Sequence, residues 1–180
     1  MNEKGEKRPP LWIVLMTLIS VFGGIISAII GINKIENYYH PYLFGLIFGG
    51  LGLLIGLLTA KKLKPIIAVN QRMKNDYYLP TLFISIGFFG LFLMSASIIN
   101  LKLSKVDYHD NFIVENKYRQ EYRYMQPEIN SIVVQMNGDS RRLVCSYDFW
   151  IRTSVGQTVY LTNYKSKLGF DFIKISNDKK

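Results

Sequence analysis

The side chains able to do chemistry are few in this chain. Asp107, His109 and Asp110 stand close enough in sequence to offer oxygen and imidazole ligands to a metal ion. Cys145 with His109 would be the nucleophile and base of a thiol enzyme, but such a pair needs direct contact and a third group to orient the base. Nothing in the sequence brings His109, in the polar stretch KLSKVDYHDN, to Cys145, which falls on the inward face of an expected strand. A small buried hydrophobe is the reading for Cys145. His40 has no second histidine or carboxylate cluster beside it and reads as an exposed loop residue. A single cysteine excludes an intrachain disulfide and a four-cysteine zinc site. No catalytic, cofactor-binding or metal-ligating residue is assigned.

The elements that would have to position such groups are mostly membrane helices. Of 180 residues 49% are hydrophobic, which a soluble domain could match, but the long uncharged runs fall before residue 101. Three runs, 11–32, 42–60 and 80–100, each have about the length needed to cross a ~30 Å hydrocarbon core at ~1.5 Å per residue. The first is too long for the apolar part of a cleaved signal peptide and reads as a retained anchor. Gly45, Gly49, Gly52 and Gly56 form one stripe on the second run, and Ser20, Gly23, Ser27 and Gly31 form a small-residue stripe on the first. Such stripes let helix backbones approach closely in lipid, so the two are expected to face each other. These glycines lie in apolar helices and cannot make a phosphate loop.

Charge sets the expected topology. The head carries Lys4, Lys7 and Arg8, and the second loop carries Lys61, Lys62, Lys64, Arg72 and Lys74. The first loop has only Lys34, with Tyr38, Tyr39 and Tyr42 suited to the headgroup region. Basic flanks stay inside, which places the N-terminus inside and the C-terminal part outside, against a mild contrary signal from Lys102 and Lys105. The five basic residues of the second loop would meet anionic headgroups. Ile66 to Met73 is either a cytoplasmic loop or a short interfacial helix. A net charge of +9 would suggest nucleic acid in a soluble protein, but membrane flanks account for part of it and no nucleic acid is expected. No run contains Asp, Glu, Lys, Arg or His, which argues against a self-contained transporter.

After residue 100 the chain reads as strands. Residues 101–110 are expected to be a linker, and Phe112 to Tyr118 a first strand. Asn137 to Ser140 is the strongest turn signal in the chain, and a four-residue loop is expected because it sets Val134 against Leu143 and Ile132 against Cys145. A two-residue loop would put Val134 opposite Arg141. Ser146 can cap a helical turn over YDFWIRT, whose Phe149 and Trp150 would cover one end of a barrel or face the membrane. Thr158 to Thr162 and Leu168 to Ile175 complete the strands, with the lysine-rich NYKSK as a solvated tip between them.

The run from Cys145 to Phe170, an aromatic helical turn followed by SVGQTVYL, a basic turn and LGF, resembles the C-terminal β module of small bacterial multispanning membrane proteins. The Gly-x-Leu-Gly signature often seen there is present only as Lys167-Leu168-Gly169. The resemblance implies a membrane-tethered β module and supplies no activity or cofactor.

The expected organisation is a basic head at 1–10, a three-helix transmembrane region at 11–100, a linker at 101–110, a small β barrel or sandwich at 111–176 and a tail at 177–180. The expected role is that of a non-catalytic accessory subunit in a bacterial cytoplasmic membrane, with lipids and an envelope protein or a second copy as partners. The alternatives are an oligomeric channel-like or toxin-neutralising protein and, third, an enzyme at the membrane face.

Overall fold

The computed structural model describes residues 9–121, 128–136 and 138–175, and of Arg72 the backbone alone. The basic residues of the head, the 177–180 tail, turn residue Asn137 and residues 122–127 lie outside the described residues. The chain forms two compact units, Met1–Lys34 with Tyr42–Ile99, and Ile35–Pro41 with Asn100–Lys180.

The first unit is helical. Helices α1 (Leu11–Ile35), α2 (Pro41–Ile67) and α4 (Tyr78–Lys102) are long and apolar enough to cross a membrane. Each outruns the uncharged stretch that marked it. In α2 the extension carries Lys61, Lys62 and Lys64 onto the helix, where lysine propagates well and its charge suits the C-terminal end. Pro65 sits in the last turn, and the Ala68 amide closes the end on the Lys64 carbonyl at 2.9 Å. The connection therefore does not form one helix over Ile66–Met73. Ile66 and Ile67 finish α2, and a short α3 (Gln71–Asn75) follows a bend. Near its start α2 widens into a π-helical turn over Gly45–Gly49.

Helix α4 is the packing centre. A β-carbon on Gly24 of α1 would collide with the backbone of Gly87, and one on Gly90 would collide with the Gly24 carbonyl. Gly31 faces Leu93 and Met94. From the other side, a β-carbon on Gly52 would stand 2.6 Å from the Phe88 carbonyl oxygen, and one on Gly56 2.6 Å from Ser85 Cα. The stripes of α1 and α2 thus both turn to α4 rather than to each other. Gly23 has open space, and Gly24 takes the contact expected of it. The reason is geometric: Gly24, Ala28 and Gly31 are spaced four and three apart, a row as narrow as the one through Gly23.

The second unit is one antiparallel sheet in the order β3-β2-β1-β4-β5, curled into a half-barrel. Strand β1 (Ser104–Gln120) is shared: its first part pairs with β4 (Thr158–Ser166) and its last with β2 (Ile129–Met136). Register shifts at Val106/Tyr108 and Val114/Asn116 bend it, as bulges do, and let one strand serve both halves of the curl. The expected linker 101–110 is therefore largely strand. The core gathers Val114, Ile132, Val134, Leu143, Val159, Leu161 and Ile173. Ser146 accepts a hydrogen bond from the Phe149 amide at the start of α5 (Tyr147–Arg152), and Phe149 and Trp150 pack against this core.

Strand β3 (Asp139–Cys145) pairs with β2 in the register Ile132↔Leu143, Val134↔Arg141 and Met136↔Asp139. The loop thus has two residues, not four. The shift of two positions keeps every side chain on its expected face, so Leu143 is buried and Cys145 half-buried against the core. Gly138, at φ +91°, supplies the left-handed geometry of a tight hairpin. Burial alone pointed to the wider loop because it gave Arg141 no partner, and the partner lies elsewhere in the chain.

That partner is the connection between α1 and α2. The Tyr39 amide donates to the Asp171 carbonyl at 3.0 Å, and the Ile173 amide to the Asn37 carbonyl at 3.1 Å, which adds residues 37–39 to edge strand β5 (Phe172–Ile175). On the other edge, Asn37 bonds Val144, and Arg141 Nη2 donates to the Tyr38 carbonyl at 2.7 Å. Residues 37–39 therefore bridge both edges of the half-barrel. Tyr38 and Tyr39 belong to this seam: Tyr38 is buried against Phe172, and Tyr39 donates to Asn163 Oδ1 at 2.7 Å. The expected NYKSK tip is likewise part of the structure. It is strand as far as Ser166, whose hydroxyl is buried and bonds Asn100 Oδ1 at 2.6 Å, and the turn follows with Gly169 at φ +79°.

Candidate functional site

Residues four apart stack on one helix face, and two such rows meet in the helical unit. Leu53, Leu57 and Lys61 run along α2 with Lys64 beyond them, while Tyr78, Leu82 and Ile86 run along α4. They wall a groove of about 810 Å³ that Lys74 and Asn75 of α3 also reach. The helices are antiparallel here, since Gly56 opposes Ser85 and Tyr77 donates its hydroxyl to the Ala60 carbonyl at 2.7 Å. One end of the groove is therefore apolar, at Leu53 and Ile86, and the other carries three lysines. Among the described residues no carboxylate lines it.

The polar groups along its floor are already engaged. Ser85 donates to the Thr81 carbonyl at 2.7 Å and Thr81 to the Tyr77 carbonyl at 2.8 Å, each one helical turn back. Lys64 Nζ lies 5.8 Å from the Tyr77 ring centroid, within cation–π reach. The groove can offer an incoming molecule positive charge at one end and alkyl surface at the other. Of the five basic residues singled out in the sequence, Lys61, Lys64 and Lys74 converge here. Lys62 does not line the groove, and the Arg72 side chain lies outside the described residues. A second groove of about 420 Å³, walled by α1, α4 and Ile67, is lined by no charged residue among those described.

The β unit carries a different cluster. The bulge at Val114/Asn116 turns Lys117 and Arg119 toward the side covered by α5. There Lys117 donates to the Thr153 carbonyl and lies 4.2 Å from the Trp150 ring centroid, and Arg119 lies 5.0 Å from that of Tyr147. Arg119 also pairs with Glu128 at 3.1 Å. Tyr147 and Ile151, four apart on α5, stay exposed beside it. Sequence reasoning missed this cluster because the bulge that reverses the side-chain alternation has no sequence signal of its own.

The seam places strong interactions around Arg141. Its guanidinium stacks 4.0 Å from the Tyr39 ring centroid. Burial pushes Tyr39 up to about 12, with neighbouring Tyr108 adding to the shift, and burial also lowers Arg141. Glu36 is raised by burial, partly offset by Arg142.

His109 and Cys145 are not brought together. His109 lies where β1 pairs with β4, bonding Thr162 Oγ1 at 2.9 Å and stacking on Tyr160, whereas Cys145 aligns through Asn130 with Arg119. Ten strand positions separate these points on β1, roughly 30 Å at ~3.3 Å per residue. Burial pushes the Cys145 thiol up to about 11 despite nearby Lys117. Among the described residues no group of three or more His, Cys, Asp or Glu could hold a metal ion. Comparison with family models, curated proteins and solved structures finds no match to this chain.

Proposed function

We propose that this chain is a multi-pass protein of a bacterial cytoplasmic membrane that displays its β module on the outer face, as a non-catalytic accessory subunit for an envelope partner. The observation that carries the reading is the place of Ile35–Pro41 in the β unit. A module built from the α1–α2 connection and from the chain after α4 needs both on one side, which crossings by α2 and α4 provide. Eight basic residues in the head and second loop, against Lys34, Lys102 and Lys105, favour the outside for that side. Many large apolar side chains on the helices are exposed, among them Leu11, Tyr42 and Leu46, as lipid contact requires.

The partner surface is assigned to the module rather than to the helices. Seven glycines, at positions 24, 31, 49, 52, 56, 87 and 90, meet neighbouring helices of the same chain, so most close-packing surface is already occupied. The exposed Tyr147 and Ile151 beside the Arg119 cluster have the composition of an interface anchor.

Cysteine accessibility in intact cells tests this, in a Cys145→Ser background. Ser166 is buried, so the reporter belongs at exposed Lys167, with a second at exposed His40. Both His40→Cys and Lys167→Cys should label with a membrane-impermeant maleimide, and Lys74→Cys only once the membrane is opened. Labelling of Lys74→Cys alone overturns the outer placement, and a split between the first two overturns the shared side. Retention of the cellular phenotype in His109→Ala and Cys145→Ala would remove the reading as a membrane-face enzyme.

A further inference from the structure

The groove between α2 and α4 has a built polarity that diffuse loop charge would not produce. Lys61 and Lys64 stand on a continuous helix, one turn apart, and Lys74 joins them from α3. Tyr77 fixes this end by its bond to Ala60 and its ring beside Lys64. Away from the lysines the walls continue as Leu57, Leu53, Leu82 and Ile86, with the Thr81 and Ser85 hydroxyls turned back on their own helix. An anionic group held by the lysines would have an alkyl chain running down those walls toward the middle of the helices.

We infer that this groove binds one molecule of an anionic glycerophospholipid, its phosphate among Lys61, Lys64 and Lys74 and an acyl chain along Leu53, Leu57, Leu82 and Ile86. Charge complementarity selects the lipid class: among the described residues three cations and no carboxylate line the groove, which disfavours a cationic occupant, and a zwitterionic headgroup would bring an ammonium to the lysines. The apolar length distinguishes a lipid from a free phosphate or a soluble phosphorylated metabolite, which would leave the leucine walls unused. A bound lipid would also join the end of α2 to α3 and the start of α4. The inference rests on the membrane placement of the helices and is independent of any partner of the β module.

Native mass spectrometry of the full chain, released from detergent after titration with phosphatidylglycerol or chain-matched phosphatidylcholine, provides the test. The wild type should retain one phosphatidylglycerol in preference to phosphatidylcholine. Lys61→Gln/Lys64→Gln/Lys74→Gln should weaken phosphatidylglycerol binding about ten-fold or more while leaving phosphatidylcholine unchanged. Lys34→Gln/Lys102→Gln/Lys105→Gln, with equal charge loss elsewhere, should bind as wild type. Leu57→Trp keeps all three charges and fills the apolar wall, so it should also lose the lipid, and it decides the matter if the triple variant does not fold. Equal binding by all variants, equal loss in both charge-reduced variants, or displacement by glycerophosphate at the lipid's own concentration overturns the inference. Failure of the membrane reading looks different: the wild-type protein would then be extracted from membranes by alkaline carbonate.

Discussion

Asn37 uses both ends of its amide on Val144: Nδ2 donates to the Val144 carbonyl at 2.9 Å, and Oδ1 accepts from the Val144 amide at 2.8 Å. A side chain here substitutes for a neighbouring strand, because Val144 lies on edge strand β3 with its peptide groups turned away from β2. Asn37→Ala leaves both groups without these partners at the closure of the half-barrel, and the expected loss is about 2 kcal/mol. Asn37→Asp keeps the acceptor and removes the donor, so it should fall between. Amide hydrogen exchange checks the assignment locally. Val144 should lose protection in Asn37→Ala while Leu143, deep in the core, keeps most of its own. Uniform loss at both positions would mean that Asn37 holds the fold generally and not this seam.

Arg141 shares its burden between the Tyr38 carbonyl and the Tyr39 ring. A lysine cannot stack its charge as a planar guanidinium does, so Arg141→Lys should destabilise the module by about 1–2 kcal/mol. Most of that loss should vanish in a Tyr39→Leu background, since the stack is then already gone. A double-mutant cycle on thermal unfolding measures the coupling. A coupling indistinguishable from zero would show that the stack contributes nothing.

Cys145 offers a kinetic readout of the interior. An ordinary thiol with a pKa of 9.0 is about one part in a hundred thiolate at pH 7, while a thiol pushed up to about 11 is about one part in ten thousand. Maleimide labelling of the folded protein should therefore run about a hundred-fold slower than that of the unfolded chain. The rate should climb about ten-fold per pH unit until it levels near 11. The sign for stability follows from the raised value: the contribution of the neutral thiol is present in full below pH 9 and is lost as pH rises through 11. Tyr39, raised from 10.0 to about 12, loses its contribution in the next window up. Unfolding midpoints measured from pH 8 to 11 should fall in the wild type and fall less in Cys145→Ala.

The three apolar helices were legible because runs without charge need no tertiary information to recognise. Their ends were not, since Lys61 to Ile67 is basic and yet helical, and it is this extension that raises Lys61 and Lys64 onto the groove. Strands were legible where β-branched content is high, but Ser104 to Asp110 read as linker and Asn163 to Ser166 as a solvated tip, and the register at Arg141 depended on Tyr38, about a hundred residues earlier. Tyr38 and Tyr39 looked like interface residues for the same reason: aromatic content beside an apolar run suits both a headgroup region and a sheet seam, and only the pairing with β5 separates them. Three groove lysines were marked in advance by charge. Their convergence with Leu53 and Leu57 needed the spacing of α2 continued past residue 60.

The neighbouring glycines of α1 make a matched pair for the helix packing. Gly23 has open space where a β-carbon would stand, whereas at Gly24 that atom would overlap Gly87, and both sit in the same apolar helix. Gly23→Ala should therefore be neutral or gain up to about 1 kcal/mol from helix propensity. Gly24→Ala carries the same propensity gain but must force α1 away from α4, with a net loss of about 1–3 kcal/mol. The overlap is with backbone, which cannot rotate aside as a side chain could. Thermal unfolding of the two variants in one detergent compares them directly. A lower midpoint for Gly24→Ala alone supports the α1–α4 contact, and equal midpoints would remove it.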